Sequence, residues 1–207
     1  MSALDVLVTP SLRFEEILSD GSTLSNPAAD TRRLFLGEDG LLHLKDSAGT
    51  VTDVNGRRTR KTDNEAFSAT AYADSTNMAL AIEASKNYAF RYVIFYTTNA
   101  TSVGIKLALK GPASCTCYAG IFGSITLGTL GGTATMVAGV QASGDISTDL
   151  PVLEPATGPG TTATMAIIEG VLNNGVNAGN LVLRHASETA TATTILANSY
   201  GELYEIA

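Results

Sequence analysis

The chain contains no tryptophan, two cysteines and two histidines among 207 residues. Each shortage removes a class of chemistry. Cys115 and Cys117 stand two apart, so a β-strand places both on one face, and a disulfide at that spacing is strained. Two thiols cannot complete a four-ligand zinc site. Their expected role is that of small buried apolar side chains. His43 and His185 have no second histidine at ligand spacing, and no HExxH pattern occurs. Without tryptophan the largest flat ring for stacking is missing.

Positive charge is also scarce. The 13 Lys and Arg stand against 20 Asp and Glu, giving a net charge of −7 and an isoelectric point near 4.7. That balance excludes the basic domain expected of a nucleic-acid binder, and it discourages contact with anionic membranes. No run approaches the roughly 18 apolar residues of a membrane-spanning helix. Residues 1–16, MSALDVLVTPSLRFEE, lack a basic start and a long apolar middle, so no signal peptide is expected.

Catalytic patterns are missing as well. GIFGSI over residues 120–125 is not a GxSxG elbow, and GTLGGT over 128–133 has no following lysine for a phosphate loop. Asp145, Asp149 and Glu154 share one loop and read as solvated charges. Glu169 is a charge inside the apolar run AIIEGV. A charge so placed needs a partner: an ion pair with Arg184 or Arg91, or a place facing an intersubunit axis. No catalytic residue, cofactor or metal is expected, and the chain reads as a non-enzyme.

What remains is an apolar, sheet-forming chain. Hydrophobic residues make up 44% of it, enough to build a core. Residues 1–70 carry 8 Lys/Arg and 11 Asp/Glu, and the much longer remainder carries only 5 and 9. Low charge with many Ala, Thr, Gly, Ser and Val suits packed sheets and surfaces covered by neighbouring copies. In YAFRYVIFY, residues 88–96, Tyr88, Phe90, Tyr92, Ile94 and Tyr96 share one face and Ala89, Arg91, Val93 and Phe95 the other, the pattern of a central strand. Residues 103–110 alternate Ile105, Leu107 and Leu109 with Lys106 and Lys110, and Gly111-Pro112 ends them. Further strands are expected at 114–122, 133–140, 164–173, 179–186, 192–197 and 201–206. Residues 78–85 fit a helix or a strand and are read as strand. The stretch 141–161, with Pro151, Pro155 and Pro159, reads as a long loop that is functional or pinned by a partner. No internal repeat indicates a propeller or solenoid. The expected fold is mainly β, a jelly-roll-like antiparallel sandwich.

The amino-terminal part differs. Thr9-Pro10 opens a short helix to Ser19 with Leu12, Phe14, Ile17 and Leu18 on one face. A β-meander follows over 34–54, and residues 55–66 read as a polar linker. That linker holds the strongest local charge signal, Arg57, Arg58, Arg60 and Lys61, which reads either as a solvated loop or as a clamp on an acidic protein surface, the latter preferred over nucleic acid in so acidic a chain. The expected division is an attachment region over 1–66 and a sandwich over 67–207.

LFLGEDGLLHLKDSAGTVTDV, residues 34–54, resembles the short meanders near the amino termini of bacteriophage virion proteins. The segments 88–112, 165–172, 181–188 and 198–206 resemble the core strands of a phage structural β-sandwich. The resemblance implies a homo-oligomeric, trimeric virion protein, made in the host cytoplasm, with no active-site residues to carry over. Its partners would be its own copies and the major capsid protein or another virion protein. The chain has no heptads and no room for a shaft, which favours a capsid decoration or head-fibre protein over a tail fibre. The rival is a receptor- or carbohydrate-binding tail protein recognising a host surface glycan, with Tyr72, Tyr118, Tyr200 and Tyr204 as its available aromatics.

Overall fold

The computed structural model describes residues 25–29, 31–36, 42–49, 51–53, 56–126 and 135–206. The expected helix over residues 10–19 lies outside them. The chain forms two compact units, Met1–Asn55 and Gly56–Ala207.

In the first unit β1 (Arg32–Leu36), β2 (Leu42–Asp46) and β3 (Val51–Asp53) form an antiparallel meander in that order. The register pairs Phe35 with His43, and their rings stack 5.3 Å apart. His43 is therefore a packing residue, buried beside Phe35. Asp46 makes the β2–β3 turn by accepting hydrogen bonds from the Ala48 and Gly49 amides.

The second unit is mainly β and antiparallel, with no helix among the described residues. Its strands are β4 (Arg57–Arg60), β5 (Glu65–Phe67), β6 (Ala73–Ile82), β7 (Asn87–Thr98), β8 (Ile105–Lys110), β9 (Thr116–Thr126), β10 (Thr135–Asp145), β11 (Leu150–Leu153), β12 (Thr164–Asn173), β13 (Gly179–Ser187), β14 (Thr193–Ile195) and β15 (Tyr200–Ile206). The larger sheet runs β10-β9-β12-β7. The far edge of β7 is shared: its first part pairs β15, which pairs β4, and its last residues pair β14, which pairs β5. The smaller sheet runs β11-β8-β13-β6.

One core joins the two sheets. Tyr88, Phe90, Tyr92, Ile94 and Tyr96 are all buried on the inner face of β7, as their alternation predicts. Tyr92 is fully buried and donates its hydroxyl proton toward the Leu181 carbonyl at 2.9 Å, which ties the sheets together through a polar atom. Residues expected at 78–85 as strand are strand to Ile82.

Two segments behave differently from their sequence reading. Residues 57–60 and 65–67 are strands of the larger sheet, so the second unit begins at Gly56 rather than at residue 67. The stretch 141–161 contains the end of β10 and all of β11, whose Pro151 sits on a sheet edge where a missing N–H costs nothing. The rest is held by its own chain: Ile146 donates to the Cys115 carbonyl at 2.7 Å, and Gly160 accepts from the Thr98 amide at 2.8 Å. No outside partner is needed to fix that path.

Cys115 and Cys117 are free and fully buried. Burial pushes the Cys115 thiol up to about 11 and the Cys117 thiol up to about 12. The thiolate is the reactive form, so both should resist a maleimide at pH 8 in the folded protein and react once denatured. Rapid labelling of the native protein would show that the β9 side of the core is open.

Candidate interaction surface

Strand alternation divides the basic cluster into two sets. Arg57 pairs with Leu203 and Thr59 with Gly201, both inward positions of β15. The Arg57 guanidinium accordingly reaches β6, bonding the Ala81 carbonyl and forming an ion pair with Glu83. Thr59 donates to the Asn77 carbonyl at 2.6 Å. Lys61 continues inward and is only 2% exposed. Arg58 and Arg60, opposite Glu202 and Tyr200, face out.

Lys61 is therefore not available to clamp a partner. Its ammonium donates to Glu65 Oε2 at 2.6 Å and to the Thr76 carbonyl at 2.9 Å. Glu65 also accepts from Ser75 Oγ at 2.9 Å, Thr76 Oγ1 at 2.8 Å and the Thr76 amide at 3.2 Å. The bulge in β6 explains why Thr76 is free to do this. Asn77 adopts φ +57°, and the β6–β13 ladder skips from Asp74 to Ala79, so the intervening backbone groups need other partners. Burial pushes the Glu65 carboxyl up, but the bonds from Lys61, Thr76 and Ser75 outweigh it and hold the group at about 2. His185 lies 4.0 Å from the same carboxylate, with its ring 3.7 Å from that of Phe67; burial pushes its pKa down. This buried polar knot is structural.

The expected Glu169–Arg184 ion pair does not form. The two residues lie in different sheets. Arg184 forms ion pairs with Asp74 at 2.8 Å and with Asp149, and donates to the Tyr72 carbonyl at 2.7 Å. Glu169 sits opposite Arg91, with charged atoms 4.0 Å apart. The loop carboxylates do not converge either. Asp145 accepts from the Ser147 and Ser114 amides, Asp149 holds Arg184, and Glu154 accepts from the Tyr72 hydroxyl at 2.7 Å. Among the described residues no three His, Cys, Asp or Glu are placed to hold a metal ion.

The outer face of the larger sheet is the surface with unsatisfied character. The registers place its side chains in three rows across β4, β15, β7, β12 and β9. The middle row is Arg58, Glu202, Arg91, Glu169 and Gly120. On one side of it run Arg60, Tyr200, Val93, Ile167 and Phe122. On the other run Tyr204, Ala89, Val171 and Tyr118. The middle row thus alternates in sign across four strands. Arg58 lies 3.5 Å from Glu202, and its contact with Tyr204 and then the Glu202 charge push its pKa up.

The flanking rows expose apolar side chains chiefly toward their ends, on β9, β12 and β15, while Val93 between them is buried. Tyr118 is 57% exposed, Phe122 52%, Val171 44% and Tyr204 38%. A contiguous patch of this kind marks a contact site rather than ordinary surface. Sequence reading reached three of its tyrosines, Tyr118, Tyr200 and Tyr204, and four of its charges, Arg58, Arg60, Arg91 and Glu169, but not Glu202. It missed the patch as a whole because strand order, not chain order, assembles the rows. The fourth tyrosine, Tyr72, lies apart from it, bonded to Glu154.

No protein-family model and no curated protein matches the chain. Among solved structures, the one described as "Structure of infectious bursal disease virus Gx strain" is similar at 15% identity, over 74% of this chain and 38% of that chain, with a TM-score of 0.18. The chain therefore spans well under half the length of the protein it matches.

Proposed function

We propose that the protein is a structural subunit of a bacteriophage virion, a capsid decoration or head-fibre protein. The outer face of the larger sheet carries this reading: an apolar, solvent-open patch on a small antiparallel β body, with no convergent catalytic group among the described residues. The resemblance of the 34–54 meander and of the core strands to phage virion proteins supports the same assignment. In this reading residues 1–55 attach to the major capsid protein or a neighbouring virion protein. Residues 56–207 form a jelly-roll-like body that associates with its own copies. Arg60 is the one member of the basic cluster on the outer face that has no carboxylate opposite it in the register, and it is the member best placed to meet an acidic neighbour.

The test is the copy number of the protein in purified particles, relative to the major capsid protein, by quantitative mass spectrometry. Copies comparable with the capsid protein are expected. A handful per particle would move the protein to the tail, and none would end the virion assignment. The exposed rings of Tyr118 and Phe122 favour a second reading, a tail protein that stacks a host glycan on this face. A glycan array probed with the purified protein decides whether any sugar binds there.

A further inference from the structure

We infer that a second copy of this chain covers the outer face of the larger sheet through a two-fold axis that runs along the strands between β7 and β12. The charge order selects this geometry. The row Arg58, Glu202, Arg91, Glu169 alternates in sign strand by strand. A two-fold axis lying along the strands, in a gap between two of them, reverses strand order and sets the two charges that flank the gap over partners of opposite sign. An axis lying on a strand would set like over like. An axis crossing the strands would lay each charge on its own equivalent. Only the gap positions give complementarity, and complementary potential is what fixes the register of an interface.

The gap between β15 and β7 would match all four charges but leave Tyr118 and Phe122 of β9 uncovered, whereas the gap between β7 and β12 matches Arg91 with Glu169 and covers the apolar rows. It lays Arg91 over the partner's Glu169, and Glu169 over the partner's Arg91, next to the axis. It lays β9 over the partner's β15, so that Tyr118 meets the partner's Tyr204 and Phe122 meets the partner's Tyr200. Val171 then faces the partner's Ala89. Glu202 faces the partner's Gly120, where there is room for its carboxylate to stay with Arg58. The 4.0 Å separation of Arg91 and Glu169 within one chain is loose, which leaves both groups capacity for a second partner.

The dimensions agree. The four overlapping strands β15, β7, β12 and β9, about 4.8 Å apart and each contributing about seven residues at about 3.3 Å, make a face of roughly 450 Å² in projection. Its corrugated accessible area approaches the roughly 800 Å² per partner of a standard specific interface. Sheets that pack face to face keep their strands within about 30° of each other, so rows near the axis stay in register. Aromatic residues around a charged centre are also the composition of an interface patch. The charge order stands whether or not the protein belongs to a virion.

The test uses the full chain and two charge reversals, Arg91→Glu and Glu169→Arg, on side chains that solvent already reaches. Light scattering should give the wild type the mass of a dimer at micromolar concentration. Either reversal alone places like charges over each other twice, and should weaken self-association by roughly 100-fold or more. Mixing the two variants in equal amounts should restore a dimer, because a chain with Glu at 91 and 169 faces a chain with Arg at both. The mixture separates contact between chains from contact within one chain, which mixing cannot repair. A wild-type monomer or trimer would overturn the assignment, as would single variants that stay dimeric or a mixture that stays monomeric.

Discussion

Replacing Glu65 with alanine is expected to lower the unfolding free energy by about 3 kcal/mol, because the buried Lys61 ammonium loses its half-buried carboxylate partner. The loss is large because the carboxylate answers Lys61, Ser75 and both the amide and the hydroxyl of Thr76 at once. Without it the Lys61 ammonium, 2% exposed, keeps only the Thr76 carbonyl at 2.9 Å. The β6 bulge loses the group that satisfies its amide. Calorimetry should show a fall in Tm of about 10 °C for a domain of this size. A fall of less than about 3 °C would mean that water already solvates the knot. Replacing Lys61 and Glu65 together with Met and Leu should recover much of the loss, because no charge is then stranded.

The same carboxylate makes stability depend on pH. Its folded pKa, about 2, lies below the 4.5 of the free group, so its contribution is fully present above about pH 4.5 and is lost as the pH falls toward 2. Acid melts of the wild type should therefore lose stability across that window, and the doubly apolar variant should lose less.

Alanine at Gly170 should be nearly as damaging. A Cβ there would lie 2.0 Å from the Tyr118 carbonyl oxygen, 2.9 Å from Ala119 Cα and 3.0 Å from the Phe90 ring. The first two are backbone atoms of β9, and β12 is held between β9 and β7 by ladders on both sides, so neither strand can withdraw without breaking hydrogen bonds. A loss of about 3 kcal/mol is expected from this overpacking. Gly179→Ala serves as the control. Its Cβ meets only Pro112 side-chain atoms, the nearest at 3.1 Å, at the end of a ladder. Its effect should stay within about 1 kcal/mol. Urea melts that rank the two the other way would show that the β9–β12 register is misplaced, and the rows of the outer face with it.

Much of the sheet pattern could be read along the chain. Alternation in 88–96 placed five large side chains on the inner face of β7, and the bounds expected for residues 164–173 match β12. These succeed because a strand buried on one face repeats every two residues, a property of local sequence alone. The stretch RRTRK failed the same test only in appearance. It does alternate, but with charges on both faces and Thr59 between the inward ones, so no apolar residue marks the inward side. The inward positions of Arg57 and Lys61 depend on Glu83 and Thr76, which are distant in sequence, and on Glu65.

The sequence by itself determined the class of the molecule: an acidic, mainly β protein with its two thiols buried in the core. The tertiary structure decided what each charge does. Glu169 finds Arg91 and not Arg184, because β12 pairs with β7 while β13 belongs to the other sheet. The alternating row that forms the candidate interface joins residues 58, 202, 91 and 169, an order that only strand pairing creates. Cross-strand neighbours are set by long-range register, and register follows from the packing of the whole core rather than from any one segment.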